Sequence, residues 1–326
     1  MSAGDFLCKD AATPLCEHYI AAGAICSFST NSEPLLEAAR ESFLLVKAPP
    51  DSVDFSVRFW VDHANSARPP WPKPYVRGLN HLVFAGFESG SSMLADLRTR
   101  HVIGRFSTSI ADDRAYWKTV IFPILLTIVG ASVGVAELHS SCVAKKQGGL
   151  LLAGPGRSGK STLAVALAQA GFGFLADDRT FCSWRQGRLL AWGLATTLKL
   201  RCDAGAHFKE LRSEQPTDLQ NGERGFRLEP ELGLGLERLT RCEPRLLVFL
   251  ERSDSPRFNL TKMSSEEAAA RLEEDLTAEL PDAATHQIDV LRKVAELPCR
   301  LLQYGGHPRP VAKELAIHFE QLLRSS

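Results

Sequence analysis

The 326-residue chain is 44% apolar and 23% charged, the balance of an ordinary globular protein, which excludes a disordered, collagen-like or coiled-coil chain. Its 38 basic and 38 acidic side chains cancel, so the overall charge gives nucleic acid or an anionic membrane nothing to bind. The eight cysteines form no C-x-x-C pair and no ladder of short spacings, which favours reduced thiols in a cytoplasmic protein over a disulfide framework or a zinc site, and the length allows two domains.

In chain order, Asp5, Lys9 and Asp10 break the N-terminus before an export signal can form. Signals are weak as far as residue 42, apart from a helix predicted over Glu33–Ser42. Between Phe43 and Ser107 the apolar period becomes two: Val53, Phe55, Val57, Phe59 and Val61 alternate with Asp54, Ser56, Arg58 and Trp60, the mark of a half-buried strand. Strand-like HLVFAGF and MLADLRTRHVIGRF follow a proline-rich loop, so residues 1–107 read as a small, mainly antiparallel α+β domain without a chemical motif. Residues 108–137 read as a connecting buried helix, starting near Ser109 with Asp112 as its capping partner. Its charge-free stretch Val120–Ala136 is interrupted by Pro123, Gly130, Ser132 and Gly134, which favours a buried helix and turn over a membrane span.

Residues 138–326 change rhythm again. AELHSSCVAK and GGLLLAGP read as strands, KSTLAVALAQA as a helix closed by Gly171, and FGFLADD as a further strand, the order of a nucleotide-binding α/β unit. Arg212–Phe226 reads as a long loop and Arg245–Arg252 as a buried strand. Two helices follow, the first opened by Ser264 and Glu267 as a capping box, then strand CRLLQY and a terminal helix.

Chemistry concentrates in Gly154-Pro155-Gly156-Arg157-Ser158-Gly159-Lys160-Ser161, which fits G-x-x-x-x-G-K-[ST] between an apolar strand and a helix. Glycines there let backbone N–H groups converge on phosphates, the helix N-terminus adds its positive dipole end, Lys160 reaches the β and γ phosphates, and Ser161 offers a hydroxyl to Mg²⁺. Thr162 completes the cofactor-binding run. Asp177 and Asp178 end the next apolar strand, on the edge a parallel sheet would share with the loop. One can hold Mg²⁺ and the other accept a proton from an attacking hydroxyl; the competing reading is a solvated turn. His139, taken alone, reads as a hydrogen-bonded core residue. Lys199, Arg201, Arg245 and Arg252 lie near strand ends, where surface salt bridges are the plainer reading.

The segment from Leu138 to Asp178 resembles the catalytic core of the HPr kinase/phosphorylase family, P-loop serine kinases related in fold to ATP-dependent phosphoenolpyruvate carboxykinase. The resemblance rests on a histidine ahead of the loop, the loop itself, the small-residue helix and the Ala-Asp-Asp strand end; it covers about forty residues well and 138–320 loosely. It implies Asp177 as catalytic base, Asp178 and Ser161 at Mg²⁺, His139 lining the reacting site beside Lys160, and a ring-like homo-oligomer. Thr162 stands where the family has an acidic residue, and the family's glycine-rich segment for phosphorolysis has no counterpart. The layout is closer to divergent HPr-kinase-related proteins, some similar to kinases of ribosomal peptide precursors. The sequence therefore predicts ATP- and Mg²⁺-dependent transfer to a serine hydroxyl of a protein or peptide, with no nucleic-acid partner. The alternatives are a small-molecule kinase, disfavoured by the roughly 150 residues ahead of the loop, and a non-catalytic ATP-binding switch.

Overall fold

A computed structural model describes residues 11–62, 68–146, 148–194, 196–219, 223–254, 258–274 and 281–325; the N-terminal residues used in the export reading lie outside them. The chain divides into two compact units, Met1–Val133 and Gly134–Ser326.

The first unit is an eight-stranded sheet. Its strands are β1 (Leu15–Ala21), β2 (Ala24–Thr30), β3 (Leu44–Leu45), β4 (Phe55–Asp62), β5 (Tyr75–Leu79), β6 (Leu82–Glu88), β7 (Ser91–Asp96) and β8 (His101–Ser107), in the order β3-β1-β2-β4-β8-β7-β6-β5. Pairing is antiparallel except for β2 with β4 and β4 with β8. Helix α1 (Glu33–Ser42) buries Leu35, Leu36, Ala38 and Ala39.

The helical stretch after β8 starts two residues earlier than the sequence suggested. Ser107 is still extended, so its hydroxyl faces the Ile110 N–H, whereas Ser109 is already inside the first turn of α2 (Thr108–Asp112). Asp113 caps a second start, accepting from the Tyr116 N–H at 2.9 Å, for α3 (Arg114–Tyr116). A π turn over Trp117–Ile121 then leads into α4 (Phe122–Gly130).

Arg114–Val133 is long and apolar enough to cross a bilayer, but 78% of its apolar window is buried inside the protein. The aromatic contacts give the reason. Trp117 sits 4.6 Å from the Phe106 ring and 5.8 Å from Phe59, and Phe122 sits 4.9 Å from Phe43, so this face fills the first unit's core.

The second unit holds β9 (Val135–Leu138), β10 (Ser140–Lys145), β11 (Gly148–Ala153), β12 (Gly173–Ala176), β13 (Thr180–Arg185), β14 (Arg188–Trp192), β15 (Leu198–Arg201), β16 (Thr217–Asp218), β17 (Arg224–Leu228), β18 (Arg241–Arg252), β19 (Asn259–Met263) and β20 (Cys299–Tyr304). Its helices are α5 (Lys160–Gln169), α6 (Pro230–Leu234), α7 (Ser265–Glu273), α8 (Pro281–Ala295) and α9 (Pro308–Ser325). The large sheet runs β12-β10-β11-β18, with β20 beside β18 and the β14-β13-β9 meander continuing from the start of β18. The stretch read as one long loop carries β16 and β17, which pair with each other and with β15.

The sheet is mixed rather than parallel, which corrects the reasoning about its edge. Strand β10 lies between β11 and β12, antiparallel to both. Two reversals restore direction, so β11 and β12 still end on one edge, and β10 begins there. That edge thus gathers the loop after β11, the aspartates after β12 and the residues around the start of β10. One face of the sheet packs on α5 and α9 through Leu163, Leu167, Leu315 and Phe319; the other packs on α7 and α8 through Leu272, Leu291 and Val294.

Candidate functional site

The Gly154–Ser161 loop follows β11, whose six residues are all buried. Gly154 adopts φ +137, and a Cβ there would stand 2.7 Å from the Leu250 carbonyl oxygen, so only glycine fits so close to β18. Pro155, Gly156 and Arg157 form the exposed tip. Arg157 takes φ 69, an uncommon region for a side-chain-bearing residue, and pairs with Glu223 at 2.6 Å. Ser158 is buried, and its hydroxyl finds no partner among the described residues. Gly159 caps α5 at φ 93, and the Tyr304 hydroxyl occupies the space a Cβ would need. Tyr304 in turn donates to the Ser158 carbonyl at 2.9 Å, tying the loop to the end of β20.

Lys160 is 7% exposed, and its ammonium donates to the carbonyls of Gly154 at 2.8 Å and Pro155 at 3.2 Å. A cation held inside its own loop at a helix N-terminus opposes the helix dipole, an arrangement that costs stability unless an anion joins it. Ser161 and Thr162, both half-buried, occupy the helix's first turn.

Ser161 bridges to the aspartates through a hydrogen bond with Asp177. Asp177 is 7% exposed and also accepts from the Ser141 hydroxyl at 2.9 Å and the Lys199 N–H at 3.3 Å. Burial pushes its carboxyl above the usual range and the neighbouring Asp178 charge adds to that, while the bonds from Ser161, Lys199 and Ser141 pull the other way.

Asp178 diverges from its neighbour. The strand ends at Ala176, Asp178 takes φ 66, and its side chain is 50% exposed. The turn after Ala176 thus separates a buried carboxylate from an open one. His139, in the bend between β9 and β10, places Nε2 at 3.6 Å from the Asp178 carboxylate, and its side chain is 47% exposed. The core-histidine reading does not hold, because the chain bends at His139 between the two strands and leaves the ring exposed.

The four cations sort differently. Arg245 pairs with Glu243 at 2.8 Å and Arg201 with Glu223 at 3.2 Å, as surface ion pairs. Lys199 instead feels Asp178 and Asp177, and desolvation holds its ammonium below the usual lysine range. Arg252 lies 4.9 Å from the Tyr304 ring centre in a cation–π contact. Sequence reasoning missed Ser141, which carries no motif, and gave Lys199 the plainer reading of a surface salt bridge, whereas it is partly buried beside the aspartates. The alternation Ser141, Val143 on the α5 face of β10 would have been the only clue to the first.

Among the described residues no group of three or more His, Cys, Asp or Glu stands together as a metal cage. The available set, one exposed carboxylate and one hydroxyl, suits a cation that keeps water and shares phosphate oxygens. A cavity of about 390 Å³ opens beside the loop on the sheet face opposite α5, with His139, Gly154 and Pro155 in its wall.

No protein-family model matches the chain, and no curated protein matches it. A solved structure of the Hpr(Ser) kinase/phosphatase from Coxiella burnetii is similar at 13% identity, covering 58% of this chain and 93% of that one, with a TM-score of 0.32. The likeness is distant and structural, and assigns no chemistry to this chain.

Proposed function

We propose that the second unit transfers the γ-phosphoryl group of ATP to a serine hydroxyl of a protein or peptide. The observation that carries this reading is Asp177: a buried carboxylate, raised above the usual range and fixed by Ser141, Ser161 and the Lys199 N–H, on the sheet edge that also carries the Gly154–Ser161 loop.

The loop's own features fit a phosphate group. Lys160 holds its ammonium within the loop, Ser158 is a buried hydroxyl with no partner among the described residues, and two positive-φ glycines bring the backbone close. Ser161 and Asp178 would hold Mg²⁺, which when bound supplies positive charge to the phosphate oxygens. In the transfer, the acceptor oxygen forms a bond to Pγ, the bond from Pγ to the bridging oxygen breaks, ADP leaves, and the hydroxyl proton passes to Asp177. A carboxylate raised by burial is the better proton acceptor, because its affinity lies closer to the working pH. His139 orients Asp178, and Lys199 offsets charge around the pair.

The test is Asp177→Asn. Nucleotide affinity stays within a few fold, while transfer falls by about 10²–10⁴. Transfer that survives the substitution would remove Asp177 as the base, and a loss of nucleotide binding would place it in binding instead.

A further inference from the structure

The cavity beside the loop has a composition that the transfer chemistry does not use. Phe249, Leu272 and Leu291 are nearly fully buried and form its floor. Four charged side chains surround it: Glu137, Glu251, Glu274 and Arg271. Three carboxylates against one guanidinium leave the lining acidic; Glu137 is paired with Arg179 at 3.4 Å, and Arg271 with Glu251 at 3.5 Å and Glu267 at 3.1 Å, so Glu274 carries the rim's open charge. Glu274 is exposed and joins no ion pair among the described residues.

A second observation is independent of the charges. Ser140 also lines the cavity, is fully buried, and its hydroxyl has no partner among the described residues. Side chains alternate along β10. Ser141 reaches Asp177 on the α5 side, and Cys142 packs in the cluster with Leu272 and Leu291. Ser140 therefore shares the face of Cys142, the face on which this cavity opens. A buried hydroxyl without a partner is costly, and an occupant with a polar group would satisfy it.

Position decides what the occupant is. Gly154, Pro155 and His139 belong to this wall and to the edge that carries the loop, so on the transfer reading an occupant of the cavity would lie beside the phosphate site, on the sheet face away from Ser141 and Asp177. An acidic rim repels a nucleotide, whose phosphates are anionic, and attracts a cation. We infer that this cavity is the acceptor subsite and that it selects a peptide whose acceptor serine is flanked by a basic residue, the aliphatic stem lying on the apolar floor and the charged end meeting Glu251 and Glu274. The inference rests on the kinase reading for its orientation toward the phosphoryl group.

The experiment uses the full-length protein with Mg²⁺ and a non-hydrolysable ATP analogue, and fluorescent peptides identical except for Lys, Ala or Glu beside the serine. Anisotropy should show the Lys peptide binding about tenfold more tightly than the Glu peptide, the size expected of a few rim charges. Glu274→Lys, an exposed change whose folding is checked by an unchanged thermal melt, should abolish or invert that order. Equal binding of the three peptides, or an order that Glu274→Lys leaves intact, overturns the inference. Label transfer from ATP to the same peptides separates the two ideas. Charge-selective binding without transfer sinks the kinase reading and keeps the cationic subsite, whereas transfer without charge selectivity sinks only the subsite.

Discussion

The loop's dependence on glycine at position 159 can be tested as a coupling between two residues. Gly159→Ala forces a side chain into φ 93, worth about 1–2 kcal/mol. The new Cβ also meets the Tyr304 hydroxyl, which must move and give up its 2.9 Å bond to the Ser158 carbonyl; leaving that buried acceptor unpaired adds about 1–3 kcal/mol. Gly159→Ala alone therefore costs about 3 kcal/mol. Tyr304→Phe alone leaves the same acceptor unpaired and costs about 1–2 kcal/mol. In the Tyr304→Phe background the nearest ring carbon stands 3.5 Å from the Cβ, an ordinary contact, and the hydrogen bond is already absent, so Gly159→Ala costs only its backbone term. The double mutant should accordingly be more stable than the sum of the single effects by about 1–2 kcal/mol. Native-state hydrogen exchange read on the α5 amides measures the opening free energy of this region without requiring the two units to unfold together. Costs that add to within about 0.5 kcal/mol would show that Tyr304 does not constrain the loop, and would refute the reasoning.

Three further predictions concern the first unit. Glu88 is opposed by burial, but hydrogen bonds from the Ser91 hydroxyl at 2.6 Å and the Gly90 N–H at 2.7 Å outweigh it and hold the carboxyl below its usual range. A depressed folded value means stability present above the unfolded carboxylate range and lost as pH falls through it. Glu88→Gln should therefore cost about 1 kcal/mol near neutrality and progressively less below about pH 4; a pH-independent difference in urea unfolding would contradict the assignment. Phe122→Ala removes a ring shared by Phe28, Phe43 and Trp117, and should destabilise the first unit by about 3–5 kcal/mol. The same apolar helix should leave the wild-type protein unassociated with liposomes in a flotation assay, and stable liposome binding would contradict its burial in the core.

Legibility in the sequence followed how local each signal was. The apolar run before Gly154 is buried on both faces, the helix after Lys160 carries small and apolar residues throughout, and the aspartates close a third apolar run, so each could be read in place. The hairpin of β1 and β2 could not. Its turn is Ala22-Gly23, with Ala22 at φ 50, a residue type that gives no turn signal, and alanine and cysteine dilute its alternation. The cap at Ser107 was displaced by two residues because Ser107 and Ser109 are equivalent on paper, and only the end of β8 decides between them. The site's remaining members are set by tertiary structure. Ser141 and His139 reach the aspartates because β10 runs antiparallel between β11 and β12, and Lys199 reaches them from the start of β15. No spacing in the chain encodes those approaches.

The central claim is phosphoryl transfer, and its most direct measurement is the movement of label from γ-labelled ATP, with Mg²⁺, into a cell lysate separated into proteins, peptides and small molecules after incubation with the full-length protein. The account predicts label on serine in the protein or peptide fraction, and at least about 100-fold less with Asp177→Asn. Label confined to small molecules, or nucleotide bound with no label transferred to any fraction, would contradict it.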